Sequence, residues 1–133
     1  ITAFYTVLVD GDDFNEPISD AVRGILDGHI ILSRSLASEN HYPAIDILES
    51  LSRLMSEIVP KEQSAAAGEL RNILASYKNS EDLINIGAYV KGSNPSIDKA
   101  IKYIEPLQNF LKQGRNEHVD YETAIKEMYS IMS

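Results

Sequence analysis

The sequence contains no cysteine, which excludes disulfide frameworks, zinc–thiolate sites and thiol catalysis, and agrees with a reducing compartment. No apolar run approaches the roughly 20 residues needed to cross a bilayer, and no basic segment precedes an apolar one at the start, so neither a spanning helix nor a signal peptide is read. Positive charge is also scarce. Lys and Arg number 12 against 20 Asp and Glu, for a formal charge of −8. They are scattered singly, so a phosphate backbone would be repelled and no nucleic-acid partner is expected. No GxxxxGK[ST] segment occurs, so the strongest phosphate-cradle signal is missing. His29, His41 and His118 lie far apart without metal-ligand spacing, and no metal site is expected from them.

What is present is an ordinary globular composition, 44% hydrophobic over 133 residues. Residues 1–9 (ITAFYTVLV) are β-branched, aromatic and nearly continuous in apolarity, the pattern of a strand buried on both faces. The chain opens inside this run at Ile1, without Met, and a fragment of a longer protein is expected. Asp10, Gly11, Asp12 and Asp13 follow as an acidic turn, with a cation site as the alternative reading. Pro17 starts a helix carrying Ile18, Ala21, Val22, Ile25 and Leu26, and His29 to Leu32 reads as a second strand. Strand, helix, strand is a βαβ unit with a parallel pair. Ser33 caps a short helix to about Glu39. No further strand is clear, so the sheet's other strands are expected upstream and its open edge invites self-association.

Beyond Pro60 the pattern is helical. Ala66, Leu70, Ile73, Leu74 and Tyr77 share one face, and Ser80 is placed to cap a separate helix holding Leu83, Ile84 and Ile86. Residues 90–94 form a turn, and Asn94-Pro95 opens a helix with Ile97, Ala100, Ile101, Ile104, Leu107, Phe110 and Leu111 inward. Pro106 is expected to kink or interrupt it. Asp120 caps a last helix with Tyr121, Ala124, Ile125, Met128 and Met132 on its inner side. The fold class is therefore α/β plus α, with 1–59 the end of an α/β domain and 60–133 a helical bundle.

Three stretches carry a resemblance: 1–34, His41 to Met55 (HYPAIDILESLSRLM) and Glu81 to Pro95 (EDLINIGAYVKGSNP). In order and nearly end to end, they resemble the end of the RecA-like catalytic domain and the helical C-terminal domain of the flagellum-specific ATPase. That family is similar to the β subunit of rotary ATP synthases and to the injectisome type III secretion ATPase. The resemblance implies a parent that works as a cytoplasmic homohexamer at the base of the flagellar export apparatus, peripheral to the membrane export gate, with ATP and Mg²⁺ bound between neighbours. Its implied partners are a coiled-coil central-stalk-like export protein, an ATPase regulator and export chaperones. The P-loop would lie upstream, so the fragment is expected to be inactive alone and to hold no cofactor.

Arg53, in Ser50-Leu51-Ser52-Arg53, matches the family's arginine finger, a permanently charged guanidinium offered to the neighbour's γ-phosphate and worth about 10³-fold or more in rate. Read without the motif it is a surface arginine on a short helix. Tyr42 matches an aromatic residue that packs on adenine. Two further aromatic positions of that pocket fall at Arg115 and Tyr121, so a full aromatic cage is not expected and Arg115 would stack its guanidinium plane instead. Asp12, Asp13, Asn15 and Glu16 match a loop facing the central shaft. Lys91, Ser93 and Asn94 occupy the place of an acidic lever loop but are not acidic, which argues against a synthase-like lever. The alternatives are an injectisome ATPase fragment, an ATP synthase β fragment, or a non-enzymatic helical protein-binding module.

Overall fold

The computed structural model describes residues 1–9, 11 and 16–132. Its elements are α1 (Pro17–Ile25), β1 (Gly28–Leu32), α2 (Arg34–Ser38), β2 (Ile45–Ser52), α3 (Met55–Ile58), α4 (Lys61–Asn85), α5 (Pro95–Leu111) and α6 (Tyr121–Met132). A small α/β part is followed by a helical bundle, as the composition of the two halves implies.

The α/β part differs from the expected βαβ unit. Residues 1–9 are irregular and largely exposed, with Phe4 at 93% and Leu8 at 92% of full accessibility. A strand needs a neighbour for its backbone N–H and C=O groups, and no described strand pairs with this segment. β1 forms where expected but pairs antiparallel with β2. β2 goes unread in the sequence for a physical reason. Ala44, Ile47, Leu48 and Leu51 stand at helical spacing, not at the alternation of a strand. The register explains this: Asp46 faces Ile31 and Leu51 faces His29, so residues 47–50 bulge opposite Ile30 alone. At the other end of the pair Gly28 is required, since a Cβ there would stand 2.6 Å from the Leu51 carbonyl oxygen.

The helix starts follow their caps. The Ser33 hydroxyl accepts from the Leu36 amide at 3.5 Å and the Asn94 side chain accepts from the Ser96 amide at 2.9 Å. Asp120 accepts from both the amide and the hydroxyl of Thr123, each at 2.9 Å, and these bonds hold its carboxyl below the usual carboxylate range. Two expectations are corrected. Ser80 caps nothing: it is buried within α4, which runs unbroken for 25 residues because no Gly or Pro interrupts 69–85. Pro106 does not interrupt α5, which continues to Leu111. α4 ends at Asn85, and Gly87 just beyond it has a φ of +70°, the left-handed geometry glycine adopts without strain.

The core comprises Ala66, Leu70 and Ile73 of α4, Ala100 and Leu107 of α5, and Met128 of α6, with Ile47 of β2 packed against it. Ile101 and Tyr121, expected inside, are 40% and 66% exposed.

Candidate functional site

The segment between α2 and β2 sets one cleft. Asn40 adopts φ +58°, the Tyr42–Pro43 peptide is cis, and the Gln113 amide donates to the Tyr42 carbonyl at 2.8 Å. That bond seats the 113–117 turn beside Tyr42. The turn is closed by Glu117, whose carboxylate accepts from the Gly114 amide at 2.7 Å. Tyr42 and Arg115 thereby line one cleft of about 630 Å³ together with Pro43, Gln113 and Glu117. A half-exposed phenol ring and a guanidinium in one cleft suit a flat, electron-rich ring system. The residues present fit a base and not a triphosphate, because the cleft lacks a glycine-rich phosphate loop. Tyr121 is elsewhere: its hydroxyl exchanges hydrogen bonds with the Gln63 side chain at 2.7 and 3.1 Å.

Nearby, burial holds the His41 imidazole below its ordinary pKa of 6.5, with the Lys112 charge acting in the same direction and Glu39 opposing. Among the described residues no cluster of three or more His, Asp or Glu side chains could hold a metal ion.

Arg53 lies at the other end of β2, immediately after its last residue. It is exposed and not on a helix. Its amide donates to the Asp27 carbonyl at 2.8 Å, while Nε and Nη2 donate to the Leu26 and Arg23 carbonyls at 3.3 Å, at the C-terminal end of α1. Such long bonds release their guanidinium at small cost.

The bulge between these two ends is held by side chains. Arg71 of α4 donates Nη1 to the Ile47 carbonyl at 2.6 Å and to the Ser50 carbonyl at 3.2 Å, and Nη2 to the Leu48 carbonyl at 3.0 Å. His29 Nε2 donates to the Glu49 carbonyl at 3.1 Å. The Asp46 carboxylate accepts from the Leu48 and Glu49 amides and stands 3.7 Å from Lys78. Sequence reasoning missed Arg71. The available signal was its seven-residue spacing from Lys78, which sets two cations on one flank of an apolar helix face.

Of the loop residues, Asp12, Asp13 and Asn15 lie outside the described residues. Glu16 precedes α1 and makes no side-chain cap. Lys91, Ser93 and Asn94 form an exposed turn between α4 and α5. Tyr89 and Asp98 knit it together: the Tyr89 hydroxyl lies within hydrogen-bond distance of the Asn94 carbonyl and the Asp98 carboxylate, and Asp98 accepts from the Gly92 amide at 2.9 Å.

A short α/β segment continuous with a three-helix bundle, clefted where the two meet, is similar to the closing part of a nucleotide-binding domain with its helical C-terminal domain. Two family models match in that order: the nucleotide-binding domain of the ATP synthase alpha/beta family over 1–52, and the T3SS EscN ATPase C-terminal domain over 59–130. The chain belongs to the T3SS EscN ATPase C-terminal domain family. It is 56% identical over 131 residues to the flagellum-specific ATP synthase of Bacillus subtilis (strain 168), covering 98% of this chain and 30% of that protein. The assembled ATPase EscN from the enteropathogenic E. coli type III secretion system superposes with a TM-score of 0.92 at 48% identity, over 97% of this chain and 31% of EscN. EscN in complex with its central stalk EscO matches with a TM-score of 0.83 at 48% identity, over 88% of this chain and 29% of the other. The chain thus spans about a third of these relatives' length.

Proposed function

We propose that this chain is the C-terminal part of the ATPase that powers flagellar type III protein export, contributing to two different nucleotide sites of a ring. The observation that carries this is the placement of Tyr42 and Arg53 at opposite ends of β2. Their separation along the strand suits contributions to two sites better than to one. Sites between neighbours use both: Tyr42 and Arg115 face the base of one ATP, and Arg53 reaches the γ-phosphate of the next. The flagellar relative at 56% identity supports export at the flagellum, with the injectisome as the alternative reading. Mg²⁺ and the phosphate-binding loop belong to the remainder of the ATPase. The domain boundary falls between 59 and 60, where Pro60 precedes α4.

The assembled state of EscN and its complex with a central stalk support a homohexamer gripping a coiled-coil stalk protein in the cytoplasm, with the 91–94 turn and the loop ending at Glu16 as contacts. An ATPase regulator and export chaperones complete its partners. Tyr121, bonded to Gln63, supports the rim of the helical domain more readily than the base pocket.

In the full-length protein Arg53→Ala is expected to lower kcat by about 10³-fold while nucleotide affinity is retained. Steady-state hydrolysis and equilibrium nucleotide binding measure the two quantities, and equal loss of both would refute the assignment.

A further inference from the structure

Every backbone carbonyl of the 47–50 bulge is taken by a side chain: three by Arg71 and one by His29. The usual partner of a strand carbonyl is the neighbouring strand, but here β1 offers only Ile30 opposite four residues. The clasp therefore comes mainly from the helical bundle. Arg71 is half-buried, and α4, which carries it, supplies three of the six buried core residues. The Ser50 carbonyl that accepts from Arg71 is three residues from Arg53, and the Arg53 amide is itself tied to the Asp27 carbonyl. Between Arg71 and Arg53 there is one short stretch of hydrogen-bonded backbone and no flexible linker.

The geometry points to Arg71 as a positioning residue for Arg53: the helical bundle fixes, through the β2 bulge, where the arginine at the end of β2 is presented to the neighbouring subunit. This rests on the reading of Arg53 given above. Guanidinium suits the task because its planar fork satisfies several carbonyls at fixed angles, which a single ammonium cannot do. A displacement of α4 pulls on Ile47, Leu48 and Ser50 together, so the bundle and the arginine move as a coupled pair.

The test is a double-mutant cycle in the full-length ATPase with Arg71→Lys, Arg53→Ala and both substitutions. Lysine keeps the charge and loses the fork. Arg71→Lys is expected to lower kcat by up to about 10²-fold, the scale of a misplaced catalytic group, with nucleotide KM nearly unchanged. On the Arg53→Ala background the same substitution is expected to change kcat by less than about twofold, because residues acting through one another are non-additive. Single-turnover hydrolysis of labelled ATP reads the slow variants. Full additivity, or an unchanged kcat in Arg71→Lys, overturns the proposal while leaving Arg53 intact as a finger. Wild-type hydrolysis by Arg53→Ala overturns the finger itself and is recognised separately. Hydrogen exchange on Arg71→Lys and on Arg71→Gln provides the second reading. Faster exchange confined to 47–53 is expected in both, and uniform acceleration through α4, α5 and α6 marks general destabilisation and refutes positioning.

Discussion

Leu107→Ala probes the helical core most directly. Leu107 is 0% exposed, on α5, in a cluster with Leu70, Ile73, Ala100 and Met128. Its neighbours come from three helices, so none can close over a missing side chain without shifting against the other two. Truncation loses the transfer free energy of three carbons and leaves a cavity, together about 3–4 kcal/mol for a site that relaxes little. With a urea m-value of about 1.5–2 kcal/mol/M, the midpoint falls by about 2 M. Circular dichroism at the helical minimum follows the transition. Leu83→Ala on α4, at 50% exposure, is the comparison and is expected to cost below about 1 kcal/mol. If the two variants unfold within about 0.5 M of each other, Leu107 does not hold the three helices together and the core assignment is wrong.

Pro106 is exposed inside α5 and has no N–H to donate along the helix, so Pro106→Ala is expected to stabilise the chain by about 1–3 kcal/mol, read as a higher urea midpoint. His41 is held below 6.5 by burial and then by Lys112, so the folded form binds its proton less readily than the unfolded chain. Its contribution is full above 6.5 and is lost as pH falls from there through the lowered folded value. The wild-type midpoint is therefore expected to drop over that window by more than that of His41→Gln, and identical pH profiles would refute it.

The elements that were legible in the sequence are those with local causes. Ser33, Asn94 and Asp120 announce helices because a short polar side chain at the first turn satisfies an otherwise unpaired amide. β2 was illegible because its apolar residues follow the bulge and not the pleat, which gives them a helix's spacing. Residues 1–9 have strand composition, yet composition cannot supply the neighbour that a ladder requires. Ser80 shows the opposite error, a good cap residue overruled by the packing of a long helix. The site divides in the same way. Tyr42, Arg53 and Arg115 are proposed through resemblance, since nothing in their own spacing marks them. The Arg71 clasp joins residues more than 20 apart and arises only when α4 is laid on β2.

That clasp bears on how the two halves of the chain work together. A two-stranded sheet is marginal by itself. β2 gains from α4 part of what a third strand would otherwise give: Ile47 packs against the helical core, Arg71 takes three carbonyls, and Lys78 approaches Asp46. The strand is thus tied to the bundle as well as to its partner β1. Its start leads from the Tyr42 cleft, which the turn after α5 closes through the Gln113 amide, and its end leads to Arg53. A movement of α4 loads β2 at Ile47, Leu48 and Ser50, between an end tied to the turn after α5 and an end tied to the close of α1. On the proposed reading of Tyr42 and Arg53, that arrangement would link a base held at one face of a subunit to the arginine offered at its opposite face. The linkage requires no contact between the two nucleotides, only that α4 and β2 keep their bonds while either moves.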